Sequence, residues 1–427
     1  MAPILIKMRN HIRCMLLGLT ISTVCSVSGE SSQWPGLLGS DRNGWVNHFQ
    51  IPKTWPEVLS LAWKVEVGDG YGTPVLHGDQ VYQHARQKED EVLWRIDFKT
   101  GDVVWRQNQA TAFQMGSGGE SHGKGPKSSP IIANGKIFTL SVSGTICAWD
   151  IDSGKQLWQH DENKRFSPPH PYWGASISPI VENGKLLVRL GNDASGLLLA
   201  LDTHTGQKVW SLGDDGACYS SPIIAEVEGV RQLIEWNHNA LIGVDVTSGT
   251  PLWRFHLPHL GSNQNMPTPS FHQASESILV GGENRGIRRI QPRRNQGKWI
   301  AEEIWHQKRV ALDMSTAVLH DNHLFGFSHF DMGQFFCIDL TRGTIRWKGP
   351  SRTGENAALL AMPGHIAALI NDGTFWILSA SPHGFQKLAS YQVADLPTWA
   401  PPVLWHDSLL VKDRRFLMRW SFNGDAP

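Results

Sequence analysis

Cysteine is scarce: the 427-residue chain has five. Two of them, Cys14 and Cys25, lie in the N-terminal segment, and Cys147, Cys218 and Cys337 are scattered through the rest. An odd, dispersed set excludes a disulfide framework. No two cysteines are adjacent, and there is no Cys-x-x-Cys-His run to attach a haem. Charge of one sign is also missing. Lys plus Arg number 39 and Asp plus Glu number 39, so nothing suggests a polyanion partner, and nucleic-acid binding is not expected. Long hydrophobic runs are missing too. The apolar stretch Cys14–Ile21 is too short for a transmembrane helix. It follows Lys7, Arg9 and Arg13 and precedes the small residues Ser26-Val-Ser-Gly29, which is the order of an export signal. Residues 1–29 therefore read as a signal peptide cleaved between about Ser26 and Glu30, with the chain exported to the periplasm or cell envelope. Val24 is a poor fit before a lipidated Cys25, so an unlipidated N-terminus is expected.

What the chain does have is tryptophan at regular intervals. Trp105, Trp158, Trp210, Trp253, Trp305 and Trp347 are spaced by 53, 52, 43, 52 and 42 residues, and Trp63 lies 42 before the first. A period of roughly 40–50 residues built from short strands indicates a β-propeller. The tryptophans close a motif seen best in Asp97-Phe-Lys-Thr-Gly101-Asp-Val-Val-Trp105 and Asp150-Ile-Asp-Ser-Gly154-Lys-Gln-Leu-Trp158. Asp, Ser or Thr, and Gly make a tight turn, with Gly taking the positive φ that other residues avoid. Upstream stand Thr73-Pro74, Ser129-Pro130, Ser178-Pro179, Ser221-Pro222 and Thr268-Pro269, each opening an apolar run. Proline is tolerated at the first residue of a strand and not within a central one. Hairpin signals such as Asn134-Gly135 and Asn183-Gly184 follow.

Each unit is thus four antiparallel strands, and the inner strands number eight. The expected fold is all-β: an eight-bladed β-propeller of four-stranded antiparallel blades, comprising residues 60–427 after an N-terminal extension at 30–59. The eighth blade has no outer strand after Trp420, and Leu61–Val65 around Trp63 has no blade of its own. Joining the two closes the ring and leaves no bare sheet edge. Two units are degenerate. The fifth lacks the Asp-Gly turn, and the seventh has Leu388 or Ala389 where Trp is expected.

The Asp-x-x-Thr/Ser-Gly-x-x-x-Trp repeat resembles the pyrroloquinoline quinone (PQQ) repeat. That repeat occurs in quinoprotein alcohol dehydrogenases and in the propeller of the outer-membrane-protein assembly machinery. The opening Gln33-Trp-Pro-Gly-Leu-Leu-Gly-Ser-Asp-Arg-Asn-Gly-Trp45, Gly123-Lys-Gly-Pro126 and Gly213–Pro222 resemble PQQ-like propellers of planctomycete-type bacteria. The resemblance covers nearly all of the chain after the leader. It implies that the repeat tryptophans, from Trp63 to Trp347, dock between neighbouring blades. It does not imply a cofactor, because many such propellers bind none. A quinoprotein dehydrogenase would need an aromatic or vicinal-disulfide sandwich, Ca²⁺ ligands and an aspartate base. No segment matches that base or those ligands, so no cofactor and no metal site are expected; PQQ and Ca²⁺ belong only to the alternative reading. The histidine pairs His256/His259 and His320/His323 would each need a further metal ligand placed by the fold.

Loops joining one outer strand to the next inner strand all open on one face, where binding sites of closed β folds concentrate. The candidates for a ligand-binding face are Glu120, His122 and Lys124; Tyr172 and Trp173; Asp214, Asp215 and Tyr219; Asn263 and Asn265; Arg309 and Asp313; and Glu355. A solvated, variable rim is the other interpretation for any one of them. The expected function is non-catalytic binding or scaffolding in the periplasm or envelope, with an envelope protein or small ligand on this face. The alternative is a PQQ-dependent dehydrogenase of alcohols or sugars.

Overall fold

The computed structural model of the protein describes Met1 and residues 33–115, 123–213, 215–261 and 264–424. The export signal, Cys25, Glu120, His122, Asp214 and Asn263 lie outside the described residues. The described chain is strand after strand, with two three-residue 3-10 turns, Gln273–Ser275 and Phe330–Met332. Among the described residues no helix is long and apolar enough to cross a membrane.

Eight antiparallel sheets form the blades. Blade 1 runs outward from the axis as Val75–His77, Gln80–Gln87, Asp90–Asp97 and Val103–Ala110. Blades 2 to 7 occupy residues 131–160, 180–212, 223–256, 270–307, 318–348 and 357–392 in the same order. Blade 8 takes Val403–Trp405, Ser408–Lys412 and Phe416–Ser421 from the C-terminal end and its outer strand, Ser60–Glu66, from the N-terminal end. Ser60 lies opposite Ser421 and Glu66 opposite Phe416, so the ring closes as the orphan strand at Trp63 predicts. Lys412 adds a buried clasp, its Nζ donating to the carbonyls of Gly68 at 3.0 Å and Gly70 at 3.1 Å.

Contact between neighbouring blades explains the repeat motif. Each outer strand carries a register shift beside its tryptophan position, as between Arg95 and Ile96 opposite Trp105. The shift turns the indole onto the next blade. Trp158 Nε1 donates to Thr203 O at 3.2 Å, and Trp105 Nε1 to Asp152 O at 2.9 Å. Trp63, Trp210, Trp305 and Trp347 do the same to Phe98, Val246, Leu340 and Ser381. Trp63, Trp105, Trp158, Trp210 and Trp305 cover the glycine of the neighbour's turn. A Cβ on Gly206 would lie 2.7 Å from the Trp158 ring. The turn aspartate is occupied locally: Asp202 Oδ1 accepts from the amides of His204 and Thr205.

Trp253 departs from the expected inter-blade role. Its Nε1 donates 2.7 Å to Gln232 Oε1 within blade 4 itself, and its ring covers Gly243 of the same blade. The reason lies in the neighbour. Blade 5 replaces the Asp-Gly turn with the long hairpin Ile287–Asn295 and Lys298–Gln307, leaving no dock. In blade 7 the register shift persists and Ala389 stands at the tryptophan position.

The segment before Ser60 is threaded across the end of the channel. Gln33–Trp34 adds a fifth strand beside Val75–His77. Ile132 of blade 2 donates to Pro35 O, Trp45 bridges Ala361 of blade 7, and Phe49 bridges His406 of blade 8. Between these contacts Arg42 is buried. Its Nη1 donates to Ser178 O at 2.8 Å and Pro222 O at 3.0 Å, and its Nη2 to Pro179 O, so three orphan carbonyls at the axis share one guanidinium. Burial lowers the Arg42 pKa to about 9.

Candidate functional site

Along the axis lies a cavity of about 520 Å³, within the range of small-molecule sites. Leu37 and Leu38, from the threaded segment, close its floor. The walls are built by the repeat. Two residues before most inner strands sits a Ser or Thr, and four of these hydroxyls accept an amide from the preceding blade. Thr73 N bonds Ser129 Oγ, Ser129 N bonds Ser178 Oγ, and Ser178 N bonds Ser221 Oγ, each at 2.9 Å; Thr268 N bonds Thr316 Oγ1 at 3.1 Å. This belt fixes the inner tier and leaves hydroxyl hydrogens free to rotate.

The next tier lies four residues before each inner strand and varies in chemistry. Reading from blade 1 it is Tyr71, Lys127, Ser176, Tyr219, Met266, Met314, then Asn356 and Trp399. Blade 7 enters this alignment through its hairpin, in which Leu360 pairs with Ala367 as Val75 pairs with Tyr82. Trp173, Glu283, Asp313 and Glu355 also line the cavity.

Charge is divided across the funnel. Lys127 leads into blade 2, and its Nζ is buried without a hydrogen-bond partner among the described residues. Burial lowers its pKa to about 8, opposed by the field of Glu91. Asp313 leads into blade 6, diametrically opposite in an eight-blade ring. Its pKa is pushed up to about 6, first by burial and then by Glu283 and Glu355. No cation pairs with these three carboxylates among the described residues. Arg285 and His329 lie in the field of Glu283, but Arg285 is occupied by Pro258 O and Asn265 Oδ1 and stacks on Trp236. Aromatic walls flank the two poles. Tyr219 Oη accepts from Trp173 N at 2.9 Å, burial raises the Tyr219 hydroxyl pKa, and Tyr71 meets Trp399 edge-on.

The candidates from sequence are therefore split. Trp173, Tyr219, Asp313 and Glu355 come together in the funnel. Lys124 and Arg309 are exposed on the rim, and Tyr172 is exposed with its ring against Trp173. Asp215 and Asn265 are not on the open face. Asp215 is buried, accepting from Arg254 Nη2 at 2.9 Å and Asn239 Nδ2 at 2.6 Å. Asn265 is buried and donates to Asn237 O at 2.7 Å. Both brace the rim. Lys127, Tyr71, Asn356 and Trp399 escaped the sequence reading, although each stands at the repeat position of Tyr219. Glu283 reaches the same face from the turn between the second and third strands of blade 5, for which the repeat gives no cue.

Among the described residues no three His, Cys, Asp or Glu side chains are placed to hold a metal ion. Cys147, Cys218 and Cys337 are free, buried and separate.

The model of the family described as outer membrane protein assembly factor BamB matches residues 60–123 and 114–349. The chain belongs to that family. The BamB of Yersinia pestis is 24% identical over 307 residues, spanning 68% of this chain and 72% of its own length. The solved BamB of Moraxella catarrhalis superposes with a TM-score of 0.56 at 14% identity, covering 85% of this chain and 100% of its own. A quinohemoprotein alcohol dehydrogenase of Pseudomonas putida, ADHIIG, superposes with a TM-score of 0.70 at 12% identity, covering 93% and 81%. These structural likenesses show the fold. BamB-like and dehydrogenase propellers share it, so the choice of function has to come from the site.

Proposed function

We propose that this propeller is an exported, non-catalytic binding or scaffolding protein of the cell envelope, working through its funnel-side face. The family match carries the reading, since the family's description is of an outer-membrane-protein assembly factor. The inventory of the repeat agrees with it: tryptophans and turn aspartates are consumed in holding blades together. On this reading the leader is removed between about Ser26 and Glu30 and the partner is an envelope protein. Cross-linking in the native envelope, followed by mass spectrometry of captured proteins and of the intact chain, tests it. A chain that retains Met1 and fractionates with the cytosol would contradict it.

A second reading, a quinone-dependent dehydrogenase, draws support from one observation: carboxylates, Asn356 and Lys127 share the funnel with aromatic rings. Against it weighs that, among the described residues, no three His, Cys, Asp or Glu side chains are grouped to hold a metal ion. Purified protein given PQQ, Ca²⁺ and an alcohol is expected to reduce no dye. Saturable turnover that Asp313→Asn abolishes would reverse the assignment.

A further inference from the structure

We infer that the funnel binds a small zwitterion whose charges are separated along its length, of the short free-ended peptide class, with its anionic end at Lys127 and its ammonium end at the Glu283–Asp313–Glu355 wall. This goes beyond the envelope reading and stands whether or not the rim also carries a protein partner.

Three observations combine. The first is the orphan amine. Lys127 Nζ is buried in the lining of the cavity and makes no hydrogen bond among the described residues. A buried ammonium without an acceptor is costly, and a ligand carboxylate supplies one. The second is the carboxylate wall. Asp313 has two carboxylate neighbours in the cavity lining and, among the described residues, no pairing cation, so an incoming ammonium relieves repulsion. The third is their placement. Lys127 and Asp313 head blades on opposite sides of the ring. Charges set apart along a molecule match that placement, and charges on one carbon do not; an extended tripeptide, with ends roughly 10 Å apart, is the smallest free-ended peptide we assign to it. Its backbone would run between Trp173 and Tyr219 on one side and Tyr71 and Trp399 on the other, above the Ser/Thr belt whose hydroxyls can donate to peptide carbonyls.

The probe is trialanine, titrated calorimetrically into the full mature chain at pH 7. Its comparators are free alanine, N-acetyl-trialanine and trialanine amide. Saturable binding of trialanine is expected, with each blocked form and free alanine weaker by about tenfold or more. In Lys127→Met the preference for carboxylate over amide disappears while the preference for ammonium over acetyl remains. Asp313→Asn and Glu355→Gln show the converse. Thermal melts of each variant establish that it is folded, and either acidic variant alone suffices for that arm. Absence of saturable binding by folded wild-type protein overturns the proposal, as does equal binding of free and blocked peptides. Neither result bears on capture of an envelope protein, which the cross-linking experiment reads separately.

Discussion

At the residue scale the structure rests on a pairing that the repeat spelled out without naming its partner. Gly206 is glycine for two reasons: its φ is +71°, and its Cα lies under the Trp158 indole. Gly135 has the same φ of +71° but nothing within 4 Å of a would-be Cβ. The pair separates the two effects. Gly135→Ala is expected to cost about 1 kcal/mol, the backbone component alone, and Gly206→Ala roughly 2–4 kcal/mol. Chemical denaturation of both variants checks it, and equal losses would remove the docking argument. Asp313 gives a second prediction at this scale. Its folded-state pKa, near 6, lies above the usual 3.8, so the fold holds the proton more tightly than the unfolded chain. Stability from this group is full at low pH and is lost as pH rises towards 6 and beyond. Asp313→Asn should therefore stabilise the protein at pH 7–8 by ~2 kcal/mol. The gain shrinks as pH falls from 6 to below 3.8. Urea titrations at several pH values measure this directly, and a variant less stable than wild type at pH 8 would show the carboxylate to be paired.

At the element scale, blade count, strand order and ring closure were all legible, because they follow from period, turn chemistry and the need to pair every edge. The orphan Leu61–Val65 found Phe416–Trp420 for that reason. What was not legible followed from neighbours. Trp253 carries the same local sequence cue as Trp158, yet it turns inward because the next blade lacks the turn it would cover. The course of residues 33–50 was equally hidden, since its contacts are with seven blades far apart in sequence, and Arg42 reaches three carbonyls only after the ring has closed. Asp215 and Asn265 look like rim ligands in a polar loop but are drawn inward by Arg254 and Asn237. Removing residues 33–66 is expected to lower Tm by roughly 10 °C or more, because it bares the Phe416–Ser421 edge and opens the channel floor together. Arg42→Ala alone should cost about 2–4 kcal/mol by leaving buried carbonyls without donors. An unchanged melting temperature in the truncated chain would refute the closure argument.

At the scale of the whole molecule, the ring presents one elaborated face with a blind, charge-divided funnel at its centre. The sequence pointed to the face but not to its chemistry. Four of the residues that build it, Tyr71, Lys127, Asn356 and Trp399, are unremarkable in their own loops and acquire meaning only when the repeats are aligned. The central claim is that this face binds a partner in the envelope. A photo-cross-linking amino acid placed at Lys124, on the exposed rim, tests it most directly in the native cell, with the exposed outer-strand position Val209 as the control. The account predicts a discrete cross-link to an outer-membrane or periplasmic protein from position 124 and none from position 209. No adduct at position 124, or the same adducts from both positions, would contradict it.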